Sequence, residues 1–166
     1  MIRFNKTTKT FYLETKKTSY VIRILENGYL YHCYYGERIA RDDLTYHNLF
    51  KDLDYASVFS LNGEKLSLDS LPQEYATRGR GDYRAPALRI ENEFGQSVNE
   101  LTYKTHKITK GKPKFSEMPQ LDASEETCDT LEIVMEDTVG NFEVSLFYSV
   151  FAKENVIARR SVIRNC

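Results

Sequence analysis

Tryptophan is absent from the sequence, cysteine occurs only three times, and no long apolar run occurs anywhere. Each scarcity removes a class of protein. A bilayer-spanning helix needs about 20 predominantly apolar residues, and no stretch approaches that. Met1-Ile2-Arg3-Phe4 is not followed by the apolar core of a secretory signal. Neither sign of charge is in excess, since 23 Lys and Arg stand against 24 Asp and Glu. A global pull toward nucleic acid or an anionic membrane is therefore not expected. Cys33, Cys128 and Cys166 are an odd number without metal-type spacing. They read as free thiols in a reducing cytoplasm, with Cys33 and Cys128 packed inside. The 166 residues suffice for one domain with a real core. They are too few for a (β/α)8 barrel, which needs roughly 200 or more.

What the chain does have is strand-forming material: 12 Tyr and 9 Phe, alongside Val, Ile and Thr. Residues 19–25 and 29–35 read as strands joined through Glu26-Asn27-Gly28. Asn-Gly between apolar runs predicts a hairpin in which both turn residues accept positive φ. An earlier strand is expected over Thr10–Glu14, where helix caps and a 3.6-residue period are missing. From residue 37 to 85 turn formers dominate: Asp42-Asp43, Asp52-Leu53-Asp54, Asn62-Gly63 and Gly79-Arg80-Gly81-Asp82. This stretch reads as a long irregular excursion with short strands, and such loops are usually functional or bind a partner. After Pro86, residues 87–91 and 98–109 are expected to pair across Asn92-Glu93-Phe94-Gly95. A second loop, 111–126, precedes strands at 130–136, 142–151 and 156–163. Val139-Gly140-Asn141 and Lys153-Glu154-Asn155 supply their turns. The pattern predicts an all-β fold, an antiparallel β-sandwich with a long irregular loop region and little helix. Ser161-Val162-Ile163-Arg164-Asn165-Cys166 reads as a strand without a closing tail, which is expected of one domain, residues 1–166, within a longer polypeptide.

Chemistry-bearing constellations are sparse. No Gly-x-Ser-x-Gly elbow exists. His32, His47 and His106 sit apart in unlike contexts and read as surface or hydrogen-bonded structural histidines. No ligand cluster of the zinc type is present, and no cofactor or metal is expected. Gly79-Arg80-Gly81-Asp82 lacks the strand-then-helix context of a phosphate loop, and its Arg80-Gly81-Asp82 is only a three-letter match to an adhesion tripeptide. The basic run from Lys104 to Lys114 alternates along a strand with Tyr103 as its sole near aromatic. It reads as a solvated face rather than a nucleic-acid platform. Tyr29, Tyr31, Tyr34 and Tyr35 either stack on sugar rings or fill the core. Glycoside hydrolysis needs two carboxylates about 5 to 9.5 Å apart. Asp52, Asp54, Asp69, Glu74 and Asp82 all fall in the irregular region, where spacing alone pairs no two of them.

One stretch carries a resemblance. Ser67-Leu68-Asp69-Ser70-Leu71-Pro72-Gln73-Glu74-Tyr75 runs into Gly79-Arg80-Gly81-Asp82-Tyr83-Arg84-Ala85-Pro86-Ala87. This resembles the S-L-D-T-L-P-Q-E-Y and G-x-G-D-F-R-x-P-A segments of glycoside hydrolase family 36 α-galactosidases. Glu26-Asn27-Gly28-Tyr29-Leu30, Leu101-Thr102-Tyr103-Lys104-Thr105-His106-Lys107-Ile108 and Lys110-Gly111-Lys112-Pro113 are similar to the family as well. The resemblance implies an N-terminal β-supersandwich that precedes a catalytic (β/α)8 barrel. It implies retaining hydrolysis of terminal α-1,6-galactosides of the melibiose and raffinose type. The barrel supplies the nucleophile and the acid/base, so no catalytic residue is expected in this chain, which should not hydrolyse glycosides alone. Its implied partners are galactosides reached through the parent enzyme, its own barrel, and further copies in a homo-oligomer. In the family this domain reaches over a neighbour's active site with an aspartate in an L-D-x-A-like segment. Leu53-Asp54-Tyr55-Ala56 matches it, which makes Asp54 the candidate sugar contact, a carboxylate suited to vicinal hydroxyls. By residue type alone Asp54 is a turn or cap residue. Where the family often has an arginine, this sequence has Glu64-Lys65-Leu66. Gln73-Glu74-Tyr75 and Asp82-Tyr83-Arg84 read as structural, with Asp82 and Arg84 placed to pin the long loop. An independent carbohydrate-binding module and a pure scaffold are the competing readings.

Overall fold

The computed structural model describes residues 1–40, 58–61, 64–79, 81–115, 120–121 and 123–166, of which 58–61 and 64–66 are described by their backbone alone. Ten strands are present among them: β1 (Ile2–Asn5), β2 (Thr10–Glu14), β3 (Thr18–Ile24), β4 (Leu30–Glu37), β5 (Val58–Leu61), β6 (Glu64–Ser67), β7 (Thr102–Lys110), β8 (Asp129–Asp137), β9 (Phe142–Phe151) and β10 (Val156–Asn165). Two antiparallel four-stranded meanders result, ordered β1-β2-β3-β4 and β10-β9-β8-β7, with a β5–β6 hairpin between them in sequence. The all-β antiparallel expectation holds. No helix among the described residues is long and apolar enough to cross a membrane.

The period-2 pattern explains how the sheets meet. β8 turns Leu131, Ile133 and Met135 inward, and β9 turns Phe142, Val144, Leu146, Tyr148 and Val150 inward. They pack on Phe11, Leu13, Tyr20, Ile22, Ile24 and Leu30 of the other sheet to form one core. Each such fully buried side chain is worth about 1.5–3 kcal/mol. All five residues of β2 are buried, Thr10 and Glu14 included, so this strand is covered on both faces.

Turn chemistry sets the hairpins, with one departure from expectation. Asn141 and Asn155, at φ 55° and 62°, close β8–β9 and β9–β10 in the left-handed region. At Asn27-Gly28 only Gly28 has positive φ, 86°. The Gly28 amide bonds to Leu25 O and the Leu25 amide to Tyr29 O, both at 2.9 Å. This is a three-residue connection ending in a left-handed glycine rather than a two-residue turn. Strand β4 starts at Leu30, one residue later than expected.

Two further expectations are corrected. Residues 87–91 and 98–109 do not form a strand pair. Strand β7 begins at Thr102 and pairs with β8, whose nine residues offer a longer ladder. Leu88 makes only an isolated parallel bridge to Thr77. Strand β1, unanticipated, pairs with β2 from Ile2–Leu13 to Asn5–Thr10.

All three cysteines are free: Cys128 is buried, Cys33 half-buried and Cys166 exposed. Burial pushes the Cys33 thiol up to about 12 and raises that of Cys128, which removes the reactive thiolate. We expect a disulfide reagent at about pH 8 to titrate Cys166 quickly and the other two only after denaturant is added. Fast modification of two or more thiols in the native protein would contradict this packing.

Candidate functional site

The irregular connection after β6 is tied down by backbone bonds. Residues 72–74 run along the open edge of β4, where the His32 amide donates to Pro72 O at 2.8 Å and the Glu74 amide to Leu30 O at 2.9 Å. A one-residue bulge in β4 at Cys33 turns Tyr35 to the face that carries Tyr20 and His32. Glu74 is thereby delivered between the sheets, its side chain only 1% exposed.

There it accepts bonds from both sheets. Its Oε1 receives Tyr20 Oη at 2.7 Å, Tyr148 Oη at 2.8 Å and Arg159 Nη2 at 2.6 Å. Its Oε2 receives Tyr20 Oη at 2.8 Å and lies 3.1 Å from His32 Nδ1. A buried carboxylate is tolerable only with this degree of pairing. Burial, then the charge of Glu74, raises both tyrosine phenols, so they remain neutral donors. Burial works against the Arg159 charge, but Glu74, Tyr148 and Tyr20 together outweigh it and hold the guanidinium above its ordinary value.

A second knot lies one turn away in sequence. Arg84 Nε donates to Asp82 Oδ1 at 2.9 Å and Nη2 to Oδ2 at 2.7 Å. The same Nη2 reaches Leu68 O and Leu71 O, both at 2.8 Å, and Gln73 Nε2 donates to Asp82 Oδ2 at 2.8 Å. The turn following β6 is thus stitched to the turn at Gly79–Asp82. Gly79 has φ 114°, and a Cβ there would lie 2.6 Å from Val98 Cγ1, so this turn requires glycine. Burial would raise the Asp82 carboxyl, but the bonds and charge of Arg84 outweigh it and hold it below its ordinary value. With its side chain 2% exposed, Asp82 cannot be displayed to an adhesion receptor.

The other sequence candidates separate. Tyr29 and Tyr31 are buried in a cluster with Leu25, Leu68 and Leu71, which assigns them to packing. Tyr35 and Tyr83 are exposed but lie on different elements, not on one platform. His106 sits 4.4 Å from Phe4 and 4.8 Å from Phe11, ring centre to ring centre, and its Nδ1 bonds Tyr103 Oη at 2.7 Å. Lys104 pairs with Glu136 and Glu143, and Lys110 with Asp129, as a solvated strand face should. Among the described residues no three His, Cys, Asp or Glu side chains converge as metal ligands would. Asp54, Asp52 and His47 lie outside the described residues. Sequence reasoning missed Tyr20, His32, Tyr148 and Arg159 as partners of Glu74. No local signal links positions 20, 32, 74, 148 and 159.

The profile of the Glycosyl hydrolase family 36 N-terminal domain matches residues 28–166. The chain belongs to this family. Alpha-galactosidase AgaA of Geobacillus stearothermophilus is 40% identical over 99% of the chain, which covers 23% of that relative. The bifunctional alpha-galactosidase/sucrose kinase AgaSK of Mediterraneibacter gnavus is 37% identical over 99% of the chain and 18% of its own length. The solved galactosidase domain of AgaSK superposes with a TM-score of 0.92 at 36% identity, covering 99% of this chain and 23% of that one. An AgaA variant in complex with raffinose gives 0.85 at 39% identity, with 95% and 22% covered. The family 36 chain described here therefore spans about a quarter of the length of the relatives it matches.

Two predictions follow from the knots of this family 36 domain. Glu74→Leu leaves two buried phenols and a guanidinium without their acceptor. It should lower unfolding stability by about 2–4 kcal/mol in urea titrations. Arg159→Met should cost at least as much, because the Glu74 carboxylate, 1% exposed, is left without its cation. A loss below about 0.5 kcal/mol in either variant would contradict the central place of Glu74. Asp82, held below its unfolded pKa of about 3.9, contributes stability that is complete above that pH and lost as pH falls through the lower folded value. In acid titrations Asp82→Asn should flatten the stability slope below about pH 4.

Proposed function

We propose that this chain is the non-catalytic N-terminal domain of a cytoplasmic α-galactosidase that hydrolyses terminal α-1,6-galactosides with retention of configuration. The observation that supports it most is 40% identity to alpha-galactosidase AgaA across 99% of the chain, combined with the solved AgaA variants holding raffinose and stachyose. On this reading residues 1–166 form one sandwich domain that borders the sugar site and supports a homo-oligomer. Its own catalytic barrel and the galactoside are its partners.

The chemistry of the buried acids agrees with a non-catalytic role. A retaining glycosidase needs one carboxylate free to attack and another able to give up a proton, about 5–5.5 Å apart. Glu74 and Asp82 meet neither need. The lone pairs of Glu74 are occupied by two phenols and Arg159, and those of Asp82 by Arg84 and Gln73. Neither can approach an anomeric carbon without losing those partners. What remains for the domain is to place a loop. The Arg84 knot anchors the C-terminal base of the β5–β6 hairpin, and upstream of that hairpin lies Leu53-Asp54-Tyr55-Ala56. Asp54 is the proposed sugar contact, accepting bonds from vicinal hydroxyls. Lys65 stands near the place of the family arginine.

The test is kinetic. In the full-length enzyme, Asp54→Ala should lower kcat/KM for raffinose by about 10- to 100-fold, the loss of a charged hydrogen bond. The chain of residues 1–166 alone should not hydrolyse an aryl α-galactoside. Unchanged kcat and KM in the variant would reduce the domain to a scaffold, and turnover by residues 1–166 alone would end the non-catalytic reading.

A further inference from the structure

Lys112, Phe115, Gln120 and Leu121, from the stretch after β7, border a half-open cavity of about 230 Å³ on the outer face of the β10-β9-β8-β7 sheet. Strand pairing aligns Arg160 with Phe147 and Phe147 with Glu132, so these side chains share that outer face. Phe115, from the loop, meets Phe147 edge-on with ring centres 5.3 Å apart. The Arg160 guanidinium lies 3.7 Å from the centre of the Phe115 ring, and Lys112 Nζ lies 5.9 Å from the same centre. Lys112 donates to Gln120 Oε1 at 2.7 Å, and Gln120 Nε2 donates back to Phe115 O at 2.8 Å. Leu121 and Phe147 provide apolar wall.

Among the described residues the charge balance here is one-sided. Lys112 and Arg160 converge on one ring, and their polar partners are a neutral amide and an aromatic face. Among the described residues no carboxylate lines the cavity, and no ion pair to Lys112 or Arg160 is formed. Glu132, one strand beyond Phe147, pairs with neither. Arg159, a third cation at the rim, is committed to Glu74. Like charges brought together without a counter-charge repel, and ring faces offset that only modestly. Such a convergence beside an apolar wall is complementary to an oxyanion carried on a compact hydrophobic body.

We propose that this cavity is a binding site for a small organic anion. Lys112 and Arg160 take its phosphate or carboxylate, and Leu121 and Phe147 take its ring or short hydrocarbon body. The cavity's size limits the ligand to about that of a monosaccharide or a substituted benzene. The proposal stands without the galactoside reading, because it concerns other residues and its readout is binding rather than turnover.

The experiment is a calorimetric titration of the full-length protein at fixed low ionic strength. The probes are phenyl phosphate, benzoate, inorganic phosphate and phenol. At least one of the two aromatic anions should saturate below about 10 mM, with inorganic phosphate about tenfold weaker and phenol weaker still. Which aromatic anion binds tighter separates a phosphate ligand from a carboxylate one. Arg160→Met and Lys112→Met should each weaken that binding by about tenfold or more, while Arg164→Met, an exposed cation further along β10, should not. Thermal unfolding of each variant confirms that it is folded, and either folded variant suffices. The proposal is overturned by no saturation at about 10 mM, by both cavity variants binding as tightly as the unsubstituted protein, or by inorganic phosphate binding as tightly as phenyl phosphate. It is also overturned if binding emerges only after Glu117→Gln and Asp122→Asn, since the chain's own acids would then be the occupants.

Discussion

Between two sheets that otherwise meet through apolar side chains sits one carboxylate, that of Glu74, bonded to β3 and β4 on one side and to β9 and β10 on the other. Apolar contact is non-directional and tolerates sliding or repacking. A buried anion does not, because any displacement that opens one of its bonds exposes an uncompensated charge. The relative placement of the sheets therefore depends on Glu74 more than on any single core residue. Glu74 also belongs to the irregular connection, not to either sheet. The same group that aligns the sandwich nails the connection to it.

The knot at Arg84 extends this control outward. Its planar fork holds Asp82 through two nitrogens and collects two carbonyls from the turn after β6, which a lysine's single ammonium could not reproduce. The conformation of a segment with little regular structure is thereby set by charge-assisted bonds rather than by ladder pairing. That is the usual way a rigid scaffold presents a functional loop.

Charge is distributed unevenly through the domain. Glu74 and Asp82 are engaged on both oxygens, and Lys104 and Lys110 of β7 are paired with Glu136, Glu143 and Asp129. Lys112 and Arg160 contrast with both groups, since they converge over Phe115 beside an open volume. Net charge near zero conceals this local imbalance, because composition averages over distances longer than those at which charges act.

Local chemistry made much of the fold legible. Alternating apolar residues marked β3, β8, β9 and β10, and glycine or asparagine marked their turns, because a two-residue side-chain period and a positive φ are properties of a few neighbouring residues. The pairing at Asp82 and Arg84 was legible for the same reason, two residues apart in the chain. Where the competition was between distant partners, the sequence was silent. Residues 98–109 had a nearby mate on paper, but β7 took β8 instead, and β1 was invisible without β2 to complete it. The partners of Glu74 come from positions 20, 32, 148 and 159, and the cations around Phe115 from positions 112 and 160. The sequence by itself determined strand material, turns and family. Which side chains meet across the sandwich was decided only by the tertiary structure, because the register and stacking of whole sheets select those pairs.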